Sequence, residues 1–453
     1  MKEFIGENFL LENDIARTLY HEHAKELPII DFASHLDIGD IVDDKRFRNL
    51  ADVWLKKEPG RARLLRSGGV DERYITGSAA GREKFQRYAE ILPKAVGHPL
   101  QLWSNLELRR WFGCEEPLSE KTAEAIWNRA GEVLASPEMS ARGMLKQAGV
   151  SVVMVREDCA SELLWYRKLP SKEICPVTLL PAMDADLAFQ IEAEDWENYM
   201  MYTLGHVEDV EITLMADVRN AMKKSMDLFE THGCRTAMLH LKYPFYRDAK
   251  EYELDDIVGR VINGKGAPRQ EESEAYQTAL LLFLAKECKR RGWVLQLTYD
   301  VMEGGHTSGA DVLHMLFSTL EAMEWLPRCI VTSRNPADDD LFCRIAGTYH
   351  FSGNLGTIQP GLRDMATPEG MLMQLYHISA RSVLGVLPGF AERAWTFLEY
   401  SRQEIFRRVL CRFIGRMVEN GSCPADEELL GKMVEDICCG NALEFFGLSG
   451  REN

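Results

Sequence analysis

Several things are missing from this sequence, and each absence narrows what the protein can be. No pair among its eleven cysteines has the CxxC spacing of zinc or thiol-redox sites, and the adjacent Cys438-Cys439 is too close for it. The odd count, with several members inside apolar runs such as Arg328-Cys329-Ile330-Val331, reads as reduced, buried, structural thiols. No apolar run approaches the ~18 residues a membrane span needs, and no charged-then-apolar leader ends in a small-residue cleavage site. A cytoplasmic location without a membrane partner is expected. Positive charge is in deficit: 53 Lys and Arg against 70 Asp and Glu give a net charge of -17, spread through the chain. Such a surface repels phosphate backbones and argues against nucleic acid as a partner. The glycine-rich Gly304-Gly305-His306-Thr307-Ser308-Gly309 lacks the Lys and spacing of a phosphate loop and reads as a flexible loop, and no GxSxG elbow occurs. Internal repeats and low-complexity tracts are absent too.

What is present is a regular alternation. At 453 residues and 46% hydrophobic content, the chain exceeds the roughly 250 residues of a bare eight-stranded α/β barrel. Eight short apolar runs read as strands, at 27–35, 151–156, 174–180, 235–241, 293–299, 328–334, 347–353 and 383–390. Most are separated by segments of helical spacing, such as 279–289 and 312–323. Near-continuous apolar strands alternating with helices predict an α/β fold with a buried parallel sheet, and eight of them a closed (β/α)8 TIM barrel. A doubly wound open sheet is the alternative. From Asp37 to about Gln147 no convincing strand occurs, but helical signals do, including a helix opened at Ser119 as an N-cap. The expected organisation is therefore 1–36 as the N-terminal segment and first strand, 37–147 as a helical insertion, and 148–453 as the rest of the barrel. The polar, punctuated stretch 261–271 reads as a mobile loop. His21-Glu22-His23 falls in a helix, where side chains two apart diverge, so it should not chelate.

A run of short matches, in order, then points to a family. Phe4-Ile5-Gly6-Glu7-Asn8-Phe9-Leu10-Leu11 and Leu27-Pro28-Ile29-Ile30-Asp31 are followed by Tyr74-Ile75-Thr76-Gly77, by Gly97-His98-Pro99-Leu100 with Trp103 and Leu106-Glu107-Leu108, and by Thr122-Ala123 with Ile126-Trp127. Ser401-Arg402 and Phe406-Arg407-Arg408-Val409-Leu410 close the series. Together they span almost the whole chain and resemble the bacterial uronate isomerases, which interconvert glucuronate and fructuronate. The resemblance implies a barrel of the amidohydrolase superfamily with a helical insertion, a small sugar-acid partner, and a role in carbohydrate metabolism; self-association stays open.

The resemblance also shows where the site has changed. The family's first strand carries Asp-x-His-x-His-Leu, whose two imidazoles converge on one divalent metal because residues two apart on a strand point the same way. Here the segment is Asp31-Phe32-Ala33-Ser34-His35-Leu36, so His35 matches the second ligand and Ala33 replaces the first. The family's Asp after the eighth strand corresponds to Glu392 in Ala391-Glu392-Arg393-Ala394; Glu392 could ligate a metal or act as a base, with Arg393 one place earlier than the expected Arg. The family's Asp-His-Tyr reads Glu58-Pro59-Gly60, its Trp-Arg-Pro-Asp reads Met183-Asp184-Ala185-Asp186, its Asp-His aligns with Met238-Leu239, and its Gln-Leu-His reads Gln296-Leu297-Thr298.

The candidate catalytic residues are accordingly Glu392, Arg393, His240 and Lys242. The candidate substrate-binding residues are Arg402, Asp184, Asp300 and Arg334, and the candidate metal ligands are His35 and Glu392. Polar residues at the predicted strand ends, Asp158 and Tyr243 among them, sit where barrel enzymes place catalysis, although strand-end loops are polar in any case. Three readings stand: a uronate isomerase with altered metal use, a different enzyme rebuilt on the same barrel, and a catalytically silent sugar-acid binding protein. With one imidazole gone, no tightly bound cofactor is expected. Two ligands would hold zinc or manganese only weakly, and turnover of glucuronate should be weak or absent.

Overall fold

The computed structural model describes residues 3–55, 58–300, 310–349, 358–363 and 366–449. Its centre is one parallel sheet in the order β1-β2-β3-β4-β5-β6-β7: Ile29–Ser34, Val150–Asp158, Thr178–Asp184, Thr236–Leu241, Val294–Tyr299, Arg328–Ser333 and Ile358–Pro360. Every strand pairs with its sequence neighbour, so the winding never reverses and the doubly wound alternative is excluded.

The sheet is curled. In a flat sheet β1 and β5 would lie about 19 Å apart, four spacings of ~4.8 Å. Instead the Gln296 side-chain amide on β5 donates to the Phe32 carbonyl on β1 at 2.9 Å. Alternate residues of six strands, among them Ile30, Phe32, Val152, Met154, Leu180, Ala182, Met238, Val294 and Ile330, meet in one inner apolar cluster. Phe445 and Phe446 near the C-terminus complete it, with the Phe446 ring tilted against Phe32, centres 4.9 Å apart. The outer faces pack against helices in a second, larger cluster.

Two of the eight predicted strands are corrected. Residues 383–390 join no ladder: Leu384–Val386 is a 3₁₀ turn, Pro388 has no N–H to donate, and Gly389 has φ +85°. At 347–353, Gly347 and Thr348 finish the helix Asp339–Thr348 and 350–353 lie outside the described residues; the seventh strand comes later, at Ile358–Pro360. Among the described residues no ladder joins β7 to β1, so the eight-stranded closed barrel is observed as a curled seven-stranded sheet. The segment after 390 nevertheless runs beside β1, where the His35 amide donates to the Ala394 carbonyl at 2.9 Å. The third strand begins four residues later than its apolar run suggests, because 171–175 forms a turn and Pro176 follows, and Asp184 thereby becomes its last residue.

Between β1 and β2 the regular elements among the described residues are helices, apart from an isolated bridge between Arg46 and Ser140. Local chemistry fixes their starts. Glu58 caps the helix Pro59–Ser67 by accepting from the amides of Gly60 at 2.8 Å and Arg61 at 2.6 Å, and Pro59 tolerates the first turn. Ser119 belongs to a turn ahead of the helix Ala123–Leu134, whose first amide it receives through its carbonyl. The expected loop at 261–271 shrinks to the few residues between the helices Glu251–Ile262 and Gln270–Arg291. His21 and His23 diverge as expected, to Asn8 and to Glu435. The glycine-rich 304–309 lies outside the described residues.

Candidate functional site

A cavity of about 870 Å³ opens at the C-terminal ends of the strands. Its floor is formed by His35 after β1, Arg156 on β2, His240 on β4, Thr298 on β5 and the stretch from Glu392 to Trp395, and its outer wall by the helices between β1 and β2.

Glu392 is placed by β1. Asp31, wholly buried, accepts the backbone amides of Ala33 and Arg393 at 3.3 Å each and the Tyr400 hydroxyl at 3.2 Å. Burial raises the proton affinity of the Asp31 carboxyl. Arg393 turns the chain in the left-handed region at φ 52°, a strained conformation for a residue with a side chain. The Glu392 carboxyl that results is 1% exposed, and neither oxygen has a hydrogen-bond partner among the described residues. The nearest counter-charge is Arg402, 3.8 Å away. Burial pushes the Glu392 carboxyl well above its ordinary range, with Arg402 opposing and Asp31 and Glu399 adding to the shift.

Behind Glu392 lies a buried ionic network. Arg402 contacts Glu399 at 2.8 Å and Glu107 at 3.8 Å, and Arg61 contacts Glu107 at 2.7 Å and Glu399 at 3.5 Å. The Trp54 indole N–H donates to Glu107 at 2.5 Å, and the Trp395 amide to Glu399 at 2.8 Å. Burial lifts the Glu399 carboxyl to about 7. This network binds the helices Pro59–Ser67 and Pro99–Phe112 to the segment that carries Glu392.

The other predicted residues divide. His35 lies flat on Trp395, ring centres 4.1 Å apart and planes 5° from parallel. His240 and Arg334 line the cavity, and both reach Asp300 Oδ1 at 3.1 Å. Burial lowers the pKa of His240, with Arg334 adding to the effect and Asp300 opposing it. Asp184 has no room for substrate, because it grips Arg156 Nε at 2.6 Å while Asp186 holds Nη2 at 2.6 Å. Lys242 is a correction: its side chain is 74% exposed, pairs with Glu192 at 3.1 Å and stands outside the cavity lining.

The donor set does not fit a three-ligand metal centre. Ala33 packs in the inner apolar cluster, and among the described residues no three His, Cys, Asp or Glu side chains group to hold an ion. Sequence reasoning passed over Arg61, Glu107, Glu399 and Arg156. The signal for Glu107 and Glu399 was a charge inside an apolar stretch, Trp103-Ser104-Asn105-Leu106-Glu107-Leu108 and Phe397-Leu398-Glu399-Tyr400, which a helix can carry only by pairing it.

Comparison with known proteins agrees with this architecture. A curated uronate isomerase of Caldanaerobacter subterraneus subsp. tengcongensis is 35% identical, with 99% of this chain and all of that protein covered. The crystal structure of the Thermotoga maritima uronate isomerase superposes with a TM-score of 0.90 at 27% identity, over 98% of this chain and all of that one. The Caulobacter crescentus glucuronate isomerase, at 18% identity and a TM-score of 0.88 over 99% and 98% of the two chains, shares the fold. The sequence profile of the glucuronate isomerases matches residues 1–446, and with the relatives at this identity and coverage it places the chain in the glucuronate isomerase family.

Proposed function

We propose that this protein isomerises a hexuronate of the D-glucuronate type between its aldose and ketose forms, with Glu392 as the group that moves the proton. The reading is carried by Glu392 itself: a buried carboxyl on the cavity floor, with neither oxygen partnered among the described residues, in a chain of this family. In this framework the curled sheet belongs to a (β/α)8 barrel, with 391–394 in the eighth strand's place beside β1.

The reaction transfers a proton from C2 to C1, while the C1 oxygen gains a proton and the C2 hydroxyl loses one. A carboxylate above the C1–C2 bond serves both carbons in turn, taking the C2 proton and returning it to C1. His240 and Arg334, tied to Asp300, are placed to hold substrate oxygens, and Arg402 stabilises the charged form of Glu392. A divalent ion, zinc or manganese, would rest on His35 and Glu392 alone and be weakly held. Two donors would supply little Lewis acidity, and turnover is expected to be slow.

Proton NMR of D-glucuronate with the enzyme in D2O tests this, alongside metal analysis of the protein as purified. Slow formation of fructuronate is expected, with the C2 proton carried to C1 and deuterium appearing there only as far as the buried Glu392 carboxyl exchanges with solvent, and the rate reduced at least ~100-fold by Glu392→Gln and untouched by Lys242→Ala. Full turnover in Glu392→Gln, or no conversion by the wild type, would refute the proposal.

A further inference from the structure

We infer that Arg48 and Arg63, on the helical wall of the cavity, form the subsite that receives the carboxylate end of the sugar acid. This rests on the isomerase reading for the identity of the ligand but not for the anion site itself.

Charge compensation distinguishes the cations of the cavity. A guanidinium already satisfied by a protein carboxylate gains little from a ligand anion, because the ligand must displace an existing pair; an uncompensated one gains a charge-assisted bond outright. Four of the arginines lining this cavity are compensated by carboxylates. Arg156 is held by Asp184 and Asp186 at 2.6 Å each, Arg334 by Asp300 at 3.1 Å, Arg402 by Glu399 at 2.8 Å, and Arg66 by Glu72 at 2.7 Å. Arg48 and Arg63 differ. Both line the cavity, both are exposed, and neither meets a carboxylate within ion-pair distance among the described residues. Lys84 on the same wall donates to the Ile75 carbonyl at 3.2 Å and leaves its charge unneutralised. Two carboxylates share this wall, Asp52, which accepts the Arg48 backbone amide at 3.5 Å, and Glu58, which is engaged in capping the helix Pro59–Ser67, so four cations stand against two anions there.

The opposite side suits the other end of the substrate. Glu392 and His240 stand on the floor, and a six-carbon chain of ~1.5 Å bonds spans about 6 Å from C1 to its carboxylate. A cavity of about 870 Å³ accommodates that length between floor and wall. Asp184, at the position where the resemblance puts a cation, faces Arg156, and the uncompensated cations lie on the helical wall instead.

The test measures binding rather than turnover. D-gluconate, which carries the carboxylate but no carbonyl, and neutral sorbitol are titrated calorimetrically into wild type, Arg48→Gln, Arg63→Gln and Arg66→Gln at low salt. The two first variants should each weaken gluconate about tenfold, leave sorbitol unchanged, and flatten the salt dependence of gluconate binding. Arg63→Lys should recover part of the loss, and Arg66→Gln should bind like wild type. Wild-type gluconate affinity in both Arg48→Gln and Arg63→Gln, an equal loss in Arg66→Gln, or no gluconate binding by the wild type would overturn the subsite. The two proposals fail separately. Loss of gluconate affinity in the variants with no glucuronate turnover in the wild type sinks the isomerase reading and keeps the subsite, whereas turnover with an unchanged KM in both variants sinks the subsite alone.

Discussion

Arg61→Met is the sharpest perturbation of the buried network that holds the helical wall to the floor. Arg61 is 0% exposed, so a flexible apolar side chain of similar length can occupy its volume, and the cost is electrostatic rather than a cavity. Glu107 loses its 2.7 Å partner and keeps only the Trp54 indole at 2.5 Å and Arg402 at 3.8 Å. Glu399 loses a weaker 3.5 Å contact but retains Arg402 at 2.8 Å. Removing one partner of a buried pair costs roughly 3 to 5 kcal/mol, because the other charge stays buried. With two residual contacts on Glu107, the lower end applies, about 3 kcal/mol. Glu107→Gln in the Arg61→Met background removes the orphaned charge while still accepting from Trp54. The double variant should therefore be more stable than Arg61→Met alone, with a coupling of about 2 kcal/mol in the cycle. Urea unfolding of wild type, both single variants and the double supplies all four corners. A loss below about 1 kcal/mol in Arg61→Met, or additive effects of the two substitutions, would show that the network is not organised by charge pairing.

Two further predictions concern acidity and metal. Burial, aided by Asp37, raises the Glu157 carboxyl from 4.5 to about 7, so the folded state binds its proton more tightly than the unfolded one. Stability should therefore fall as pH rises from about 4.5 to about 7, by at most about 3 kcal/mol; Glu157→Gln should flatten that slope in unfolding midpoints taken from pH 4 to 8, and an unchanged slope would refute the assignment. Ala33→His with Glu392→Asp restores the family's donor types and should raise zinc affinity more than turnover, read by metal analysis and isomerase assay together, at a folding cost of about 1–3 kcal/mol because position 33 is packed in the inner cluster. Restored metal with robust turnover would mean that the remaining substitutions do not limit the chemistry.

The sheet was legible where periodicity and length agreed. Strands near 151, 235, 293 and 328 lie within a few residues of their apolar runs, because a strand buried on both faces writes itself as a continuous run bounded by turns. The run at 383–390 is equally apolar yet forms no ladder, since apolarity reports burial and not pairing, and Pro388 with Gly389 decides against pairing. Glu392 is legible through the resemblance, as the counterpart of the family's Asp after the eighth strand, and the structure puts it on the cavity floor with His35 and His240. Lys242 was drawn in by the same strand-end logic as His240. Two residues further on, however, the chain has left β4, and nothing in the sequence says that Glu192 will capture the amine.

That contrast points to what a single sequence cannot carry: which charges cancel. Asp184 stands where the resemblance puts a cation, and in the sequence it reads as a candidate substrate-binding residue. The structure shows that the anion is one half of a local exchange, in which Asp184 and Asp186 occupy Arg156 from an adjacent strand. Compensation of this kind depends on register between strands, since Asp158↔Asp184 and Arg156↔Ala182 are Cα partners across the β2–β3 ladder, and register is a tertiary fact. The same holds for the helical wall. Arg63 and Arg66 are three residues apart, and in sequence they are equivalent basic positions. Glu72 reaches Arg66 at 2.7 Å, whereas no carboxylate among the described residues comes within ion-pair distance of Arg63. In the proposed subsite it is the charges that the fold leaves unmatched, rather than the number of charged residues, that an anionic substrate would meet.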